Sequence, residues 1–599
     1  MTTIPPRWDL SNVFPGLESD ELQQAFQSYE QQIGALEGLF DQRAAASPQA
    51  PLDALSAVMG EAIGCFNSAY ELRATIEPYL YSFVTTDSHD YRARSRLSEF
   101  ELLNVRMAKL SVRFRLWIGS LASVLEELIA ADPAAQAHAF ALREAAGQAQ
   151  YLMSQAEESL AAELDLSGAN AWNKLQGTIT SQVVVDFELD GEVQRLPLPA
   201  VINLHSHPSE QVRRRAYEAE IQALESVREP LAACLNGVKG VANTLDQRRG
   251  RQDALHSAID GARIDRPTLE VMLAAMHDSF PTIRRYFRKK ASRLGKEKLS
   301  WWDLFAPVGE TSQTFSFEEA RDFIVERFAG FSPDLEALAR RAFDNRWIDA
   351  EQREGKLGGA FCMSLAGVKE SRILCNFDGS LDQVSTIAHE LGHAFHNDCM
   401  FRAGKTMIQR VTPMTLAETA SIMCETIVMN SLLETAASPA EELAILETML
   451  IGAGQVIVDI YSRYLFEREV FERRRKAELS ADDFCEIMER SQRATYGDGL
   501  DEAHLHRYMW AWKPHYYESD RSFYNFPYSF GMLFGTGLYA IYKRRGSEFA
   551  PDYQRLLAST GEANAADLAD RFGIDIHERK FWDESLGVIA KHVERYCEL

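Results

Sequence analysis

The sequence predicts a large, mostly α-helical protein with two short β regions. Apolar residues recur at steps of three and four over residues 20–164 and again over 209–346, which is the spacing of amphipathic helices. The chain has 599 residues, of which 46% are hydrophobic, so more than one domain can bury a substantial core. We place a boundary near residue 200, between an N-terminal helical domain over residues 1–200 and a larger domain over residues 201–599.

The two β regions differ in their sequence signals. The first is a predicted hairpin over residues 181–198, in which two runs rich in valine and leucine flank Asp190 and Gly191, a dipeptide that favours a tight turn. The second combines a glycine-rich strand over residues 358–363 with a strand over residues 372–376, just ahead of a helix rich in histidine. We therefore expect a small β-sheet beside that helix.

Charge and cysteine content exclude several classes of protein. The chain carries 63 basic and 87 acidic residues, and a formal charge of -24 disfavours nucleic acid and anionic lipid as partners. Its eight cysteines form no CxxC pair, which favours a reducing cytoplasmic compartment. Residues 522–542 carry no charge over 21 positions, but their glycines and Pro527 favour a buried segment over a membrane span. The sequence does not predict the oligomeric state.

The histidine-rich helix carries the sequence His389-Glu390-Leu391-Gly392-His393. Two histidines four residues apart on a helix share one face, so both imidazoles can bind a single Zn2+. Glu390 then lies beside a water molecule on that zinc and is the predicted general base. We expect Asp382 to cap the start of this helix.

A catalytic zinc of this kind needs a third protein ligand. Glu418 and Glu425 lie seven residues apart, hence on one face of a second helix whose other residues are mostly apolar or small. Buried carboxylates are costly unless they are paired or bound to metal, so we assign Glu418 as the third ligand and Glu425 as the residue that orients an imidazole. His396 is a rival third ligand, and we expect it to line the substrate pocket.

These motifs together resemble the thimet oligopeptidase and oligoendopeptidase F family of zinc peptidases, in particular its oligoendopeptidase F branch. The resemblance rests on HELGHAFH, on a glutamate 29 residues after the first histidine, on residues 8–14 and 359–362, and on residues 523–531, which His515 precedes. It implies a helical zinc-peptidase fold in which two lobes face each other across a deep channel. It also implies one zinc per chain and cleavage of short oligopeptides in the cytoplasm.

The resemblance further implies that His515, Tyr524 and Tyr528 face the substrate and stabilise the oxyanion. From the residues themselves we expect an extended substrate to pair its backbone with the strand that begins at Gly358, Gly359, Ala360 and Phe361, because glycines leave room for an approaching chain. The predicted activity is a zinc-dependent endopeptidase. The alternatives are a zinc carboxypeptidase or dipeptidyl carboxypeptidase, a non-catalytic zinc-containing peptide-binding protein, and a membrane-embedded HExxH protease.

Overall fold

A computed structural model describes residues 4–42, 50–189, 191–309 and 314–599. Most of these residues are helical, which confirms the predicted fold class. The helices are α1 Asp20–Gln42, α2 Leu52–Thr86, α3 Tyr91–Ser120, α4 Leu125–Ala131, α5 Pro133–Ala137, α6 Ala139–Ala149, α7 Gln155–Asp165, α8 Ala169–Gln182, α9 Leu198–Asn203, α10 Glu210–Ser226, α11 Arg228–Arg248, α12 His256–Gly261, α13 Arg266–Arg293, α14 Phe317–Phe331, α15 Pro333–Asp344, α16 Leu381–Arg402, α17 Met414–Ala417, α18 Thr419–Thr435, α19 Pro439–Gly454, α20 Ile460–Arg474, α21 Ala481–Tyr496, α22 Met509–Trp512, α23 Phe526–Arg545, α24 Ala550–Ala558, α25 Ala565–Asp570 and α26 Arg579–Glu598.

Both predicted β regions are present. The strands are β1 Val184–Leu189, β2 Glu192–Pro197, β3 Ile348–Asp349, β4 Phe361–Leu365 and β5 Glu370–Leu374. Strands β1 and β2 form the antiparallel hairpin, with Leu189 opposite Glu192; Asp190 of the predicted turn lies outside the described residues. The second region is a three-stranded sheet in the order β3-β5-β4. Its glycine-rich strand begins at Phe361 and not at Gly358 as predicted.

The chain folds into two compact units. The first comprises Met1–Leu152, Gln313–Ser431 and Ile541–Ile574, and the second comprises Met153–Ser312, Leu432–Ala540 and Asp575–Leu599. Neither unit is a continuous stretch of chain, so this division differs from the predicted one, which has a single boundary near residue 200. The boundary near residue 200 stays a prediction.

The core of the first unit forms where α1, α2 and α3 pack together. Leu22, Phe26, Tyr29, Ile33 and Leu36 recur at steps of three and four along α1, and all of them are buried. Aromatic contacts join the three helices, since the Tyr29 ring lies 5.0 Å from the Phe100 ring between centroids. Burial of such side chains supplies the main favourable term in folding, about 1.5–3 kcal/mol for each large apolar residue.

The small sheet of the first unit is the scaffold for the histidine-rich helix. Strands β4 and β5 are antiparallel, with Phe361 opposite Leu374, and both pack against α16. Residues Ser371–Leu374 of β5 are buried, which fits a central strand covered by a helix. This confirms the predicted sheet beside the HExxH helix.

The second unit has a core of long helices. Helix α13 packs against α26, where the rings of Tyr286 and Tyr596 lie 5.1 Å apart between centroids. Trp582 of α26 is fully buried and donates its indole N–H to the carbonyl of Ile576 at 2.9 Å. Helix α21 begins with a capping box in which Ser480 and Asp483 satisfy each other's backbone N–H groups.

One helical stretch of the described residues, Pro439–Arg474, is long and apolar enough to cross a membrane by length and composition. The mean hydropathy of its apolar 18-residue window is 1.7, and 61% of that window is buried inside the protein. A core helix of a globular protein meets the same criteria, so this is weak evidence for a membrane span. Most of the uncharged stretch over residues 522–542 lies in α23.

Candidate active site

Helix α16 places the two histidines of the HExxH motif on one face. Ile387, Leu391 and Phe395 are fully buried and fix the helix in the core of the first unit. The imidazoles of His389 and His393 project from another face, with ring centroids 5.0 Å apart. The prediction that Asp382 caps this helix is wrong. Ser380 occupies the cap position, and its hydroxyl accepts from the Gln383 N–H at 3.3 Å.

Glu418 lies between α17 and α18 and points its carboxylate at both imidazoles. Its Oε2 lies 3.3 Å from His389 Nε2 and 3.5 Å from His393 Nε2. The hydroxyl of Ser421 donates to the same oxygen at 2.7 Å, which holds the carboxylate in this orientation. Among the described residues, His389, His393 and Glu418 form a group whose ligand atoms all lie within 4.8 Å of one another.

These three side chains fit a zinc ion. Two donors that each lie about 2.0–2.2 Å from a tetrahedral zinc are about 3.3 Å apart, close to the separations between Glu418 and the two imidazoles. Two imidazole nitrogens and one carboxylate oxygen are also the ligand set of catalytic zinc sites, in which the fourth position is left to water or substrate.

Glu425 orients the first imidazole. Its Oε2 lies 3.0 Å from His389 Nδ1, and because an ionised carboxylate only accepts, Nδ1 carries the proton in this contact. Burial opposes protonation of His389, but the carboxylates of Glu418 and Glu425 outweigh it and raise the pKa of the imidazole to about 10. A metal at Nε2, the atom that faces Glu418, would therefore displace a proton. This is the geometry in which a carboxylate outside the ligand set fixes the orientation of a ligating histidine.

Gly392 is a residue of the candidate site that sequence reasoning missed. A Cβ at this position would lie 2.5 Å from the Ala420 carbonyl oxygen and 2.6 Å from the Ser421 Cα, both backbone atoms of α18. The absence of a side chain therefore lets α18 approach α16 closely enough for Glu418 to reach the histidines. A glycine in the interior of a helix, between the two histidines of the motif, was the available signal.

Glu390 is enclosed by protein. Its side chain is 6% exposed, and its Oε2 is buried without a hydrogen-bond partner among the described residues. Burial raises the pKa of the Glu390 carboxyl to about 7. A carboxyl group with this pKa can both accept and return a proton at neutral pH.

His396 lies one turn beyond His393, but the structure gives it other contacts. It is 4% exposed, and its Nε2 shares a hydrogen bond of 2.8 Å with the Thr560 hydroxyl. Burial lowers its pKa to about 4. The substrate-pocket role of His396 stays a prediction, and Glu418 is the third member of the group of close ligand atoms.

The glycine-rich segment leads into an edge strand. Strand β4 pairs only with β5 in the described sheet, so its other edge makes no ladder hydrogen bonds there. Gly359 has a φ of +82°, a conformation that side chains rarely adopt, and its carbonyl accepts from Asn376 Nδ2 at 3.0 Å. A Cβ on Gly358 or Gly359 would meet no atom within 4 Å. The segment is thus open on one side, with Ala360 and Phe361 half-buried.

His515, Tyr524 and Tyr528 form a cluster within the second unit. The hydroxyls of the two tyrosines are 2.7 Å apart, and the rings of His515 and Tyr524 lie 5.6 Å apart between centroids. Burial, followed by the positive charge of Arg463, lowers the pKa of His515 to about 3, so its imidazole is neutral. Asn525 Nδ2 lies 2.8 Å from His515 Nε2 and donates to it, which places the ring proton on Nδ1.

The loop before these tyrosines is held by a buried ion pair that the sequence did not reveal. Lys239 Nζ lies 2.7 Å from Glu467 Oε1, and both side chains are nearly inaccessible to solvent. The other oxygen of Glu467 accepts from the Phe523 N–H at 3.0 Å. Phe523 has a φ of +55°, which is unfavourable for a bulky residue, and Tyr524 follows it in the turn just before α23.

Sequence comparison identifies related proteins over most of the chain. Residues 203–588 match the model of peptidase family M3, and residues 122–184 match the oligopeptidase F model of an N-terminal region. An oligoendopeptidase F homolog of Lactococcus lactis subsp. lactis is 24% identical over 393 residues, which are 65% of this chain and 64% of that protein. The oligopeptidase PepF of Bacillus subtilis is 21% identical over 458 residues, 76% of this chain and 67% of that protein. The match thus spans slightly less than two thirds of the Lactococcus relative.

Solved structures share the fold over the full chain. A candidate peptidase from Chlamydophila abortus superposes with a TM-score of 0.84 at 18% identity, covering 99% of this chain and 98% of that one. Oligoendopeptidase F from Enterococcus faecium superposes with a TM-score of 0.67 at 17% identity, covering 96% of this chain and 99% of that one. At these identities the likeness establishes the fold.

Proposed function

Because the chain belongs to peptidase family M3, we propose that it is a zinc-dependent endopeptidase that hydrolyses internal bonds of short oligopeptides. The observation that carries the proposal is the convergence of His389, His393 and Glu418 with a buried Glu390 beside them. A structural zinc site closes its fourth position with a further protein ligand, whereas this donor set of three leaves one position open. We propose one zinc per chain.

A zinc ion held by His389, His393 and Glu418 would supply Lewis acidity, which polarises a scissile carbonyl and makes water a better nucleophile. Glu390 accepts the proton of the attacking water on its carboxylate and delivers it to the leaving amine. Glu425 keeps the His389 ring in the orientation that presents Nε2. Ser421 does the same for the carboxylate of Glu418.

We further propose that β4 binds the substrate backbone. The free edge of β4 offers N–H and C=O groups to an extended peptide, which would add as a further strand. Gly358 and Gly359 leave the approach clear, and Ala360 and Phe361 continue the same edge. Because main-chain pairing tolerates many side chains, we expect the enzyme to select its substrates by peptide length and not by sequence.

We propose that His515 and Tyr528 stabilise the oxyanion by hydrogen bonds, and that Tyr524 orients the hydroxyl of Tyr528. This assignment comes from the resemblance of residues 523–531 to the oligoendopeptidase F pattern. It is supported by a neutral His515 that carries its proton on Nδ1, and by a Tyr524–Tyr528 hydroxyl pair that orients one O–H for donation. Substitution of Tyr528 by Phe is expected to lower kcat with little change in KM, because such donors act on charge that develops in the transition state.

The test of the endopeptidase proposal is the Glu390→Gln variant on a quenched fluorescent peptide of about ten residues. We expect kcat to fall by about 10²- to 10⁴-fold while zinc content stays at one per chain, since Glu390 is not a ligand. Glu354→Gln, which removes an exposed carboxylate of the same unit, is the matched control and should match wild type. Wild-type hydrolysis by Glu390→Gln would refute the mechanism.

The position of cleavage separates an endopeptidase from a carboxypeptidase or dipeptidyl carboxypeptidase. An endopeptidase should cleave a peptide and its C-terminal amide at similar rates, because it makes no use of the free carboxylate. An enzyme that clamps the substrate carboxylate should lose most activity on the amide.

We propose a cytoplasmic location, with no nucleic acid or membrane partner, on the basis of the charge and of the eight free cysteines.

A further inference from the structure

A pocket of about 520 Å³ lies wholly within the second unit, lined by residues that the proposed reaction does not use. Small-molecule sites in proteins occupy about 300–1,000 Å³, so the pocket has the size of a specific site. Its lining combines aromatic rings with four charged side chains, Glu220, Asp459, Arg463 and Lys513. Charged groups enclosed by protein are costly, and a cluster of them around a cavity is therefore an indication of a ligand.

The backbone beside the pocket has an unusual conformation. Helices α19 and α20 are joined without a break by a π-helical turn over Gln455–Asp459. A π-helical turn is rare, and it is found mostly where it positions groups at a functional site. Here both ends of the turn, Gln455 and Asp459, contribute to the pocket wall.

Two of the charged groups already have buried partners. Glu220 is 1% exposed and lies 2.7 Å from His506 Nε2 and 3.1 Å from His205 Nε2. Asp459 is 3% exposed; it forms an ion pair with Arg463 and accepts from the Tyr496 hydroxyl at 3.2 Å. Each carboxylate oxygen has two lone pairs, so Glu220 and Asp459 both keep capacity for a further donor.

Lys513 is the charged group without a protein partner. Among the described residues its ammonium makes no hydrogen bond or ion pair, and Nζ lies 3.9 Å from the centroid of the Trp512 ring. Burial, followed by the charge of Arg463, lowers the pKa of Lys513 to about 8. A ligand carboxylate would supply the missing counter-charge and hydrogen bonds.

The pocket thus presents both signs of charge in equal number, the carboxylates of Glu220 and Asp459 and the cations of Arg463 and Lys513. A simple anion would complement Lys513 but would add negative charge near Glu220 and Asp459. A zwitterion complements both signs, and the rings of Phe287, Trp301 and Tyr496 suit an apolar side chain.

We propose that this pocket binds the zwitterion of a free, aromatic or otherwise apolar amino acid. Lys513 holds the α-carboxylate, and Glu220 and Asp459 accept from the α-ammonium. The aromatic wall covers the side chain. The site belongs entirely to residues of the second unit and uses none of the metal ligands.

The proposal is tested by isothermal titration calorimetry of the zinc-loaded protein with L-phenylalanine, which no peptidase can cleave. L-phenylalaninamide lacks the carboxylate and N-acetyl-L-phenylalanine lacks the ammonium, and each should bind at least about tenfold more weakly than L-phenylalanine. Lys513→Met should abolish binding and Lys513→Arg should retain most of it. Lys298→Met, which removes an exposed lysine of the same unit, should bind as wild type.

The Lys513→Met variant is expected to fold, because it replaces an unpaired ammonium by an apolar chain of similar length, and its thermal unfolding midpoint verifies this. Absence of L-phenylalanine binding to wild type, equal binding of the amide, or full binding by Lys513→Met would each overturn the proposal. Binding of inorganic phosphate without binding of L-phenylalanine would assign the pocket to simple anions and would also overturn it. The readout is a binding heat, so it is independent of whether the protein hydrolyses peptides.

Discussion

Substitution of Gly392 by alanine tests the claim that close helix packing builds the metal site. The added Cβ would lie 2.5 Å from the Ala420 carbonyl oxygen, about 0.9 Å short of the 3.4 Å at which ordinary contacts begin. Because the opposing atoms belong to the backbone of α18, a side-chain rotation cannot relieve the overlap. Helix α18 must move away from α16, and Glu418 at its start must move with it.

The expected effect on metal binding is larger than the effect on stability. Overpacking costs about 1–3 kcal/mol, and the better helix propensity of alanine returns about 1 kcal/mol, so the free energy of unfolding falls by about 0–2 kcal/mol. Zinc ligands tolerate displacements of about 0.2 Å, so a shift several times larger should lower zinc affinity by about 10- to 100-fold. Competition with a chromophoric chelator measures the affinity, and urea unfolding of the zinc-free protein measures the stability.

Gly34→Ala is the matched control. Gly34 lies within α1 of the same unit, and a Cβ there would meet no atom within 4 Å. This variant should gain up to about 1 kcal/mol in stability and bind zinc as wild type does. Wild-type zinc affinity in Gly392→Ala would refute the packing argument, because the ligand geometry would then not depend on the contact between α16 and α18.

Three further predictions concern charged side chains with defined partners, of which Glu425 is partly exposed and Lys239 and Glu220 are buried. Glu425→Ala should lower zinc affinity by about 10- to 100-fold without removing the metal at saturation, as read by chelator competition; unchanged affinity would exclude its role in orienting His389. Lys239→Met should lower the free energy of unfolding in urea by about 3–5 kcal/mol, because it leaves Glu467 buried and unpaired; a loss below 1 kcal/mol would contradict this. Burial opposes ionisation of Glu220, but the imidazoles of His506 and His205 outweigh it and lower the folded-state pKa to about 2. The stabilisation from Glu220 is therefore complete above its unfolded pKa of about 4.5 and is lost as the pH falls toward 2. The stability of wild type should therefore fall by roughly 3 kcal/mol more than that of Glu220→Gln over this pH range, as measured by urea unfolding, and parallel profiles would contradict the assignment.

The parts of the fold that the sequence predicted correctly depend on short-range geometry. The spacing of apolar residues along α1 and α16 predicts helices because 3.6 residues per turn convert that spacing into a face. The β1–β2 hairpin follows from two alternating runs that flank a turn dipeptide. The sequence did not predict details that depend on backbone angles. Ser380 caps α16 instead of Asp382, and β4 begins three residues later than predicted because Gly359 has a positive φ.

In the candidate site, too, the features that the sequence predicted depend on short-range geometry, and the features that it missed depend on contacts between distant residues. The pairing of His389 with His393 is fixed by one turn of helix, so four residues of sequence are sufficient to predict it. The burial of His396 against Thr560 joins residues 164 positions apart, and no local pattern of residues carries that information. The role of Gly392 likewise depends on which backbone atoms lie opposite it.

By itself, then, the sequence determined the helical class, the family and the group of candidate metal ligands, because these depend on periodicity and on residue types at fixed spacing. Only the tertiary structure decided that each compact unit is assembled from three separated stretches of chain. It also decided which charged groups are buried together, as Lys239 with Glu467 and Glu220 with His506, 228 and 286 residues apart in sequence. The physical reason is that burial and electrostatic pairing are set by groups brought together through packing, and their sequence separation can take almost any value.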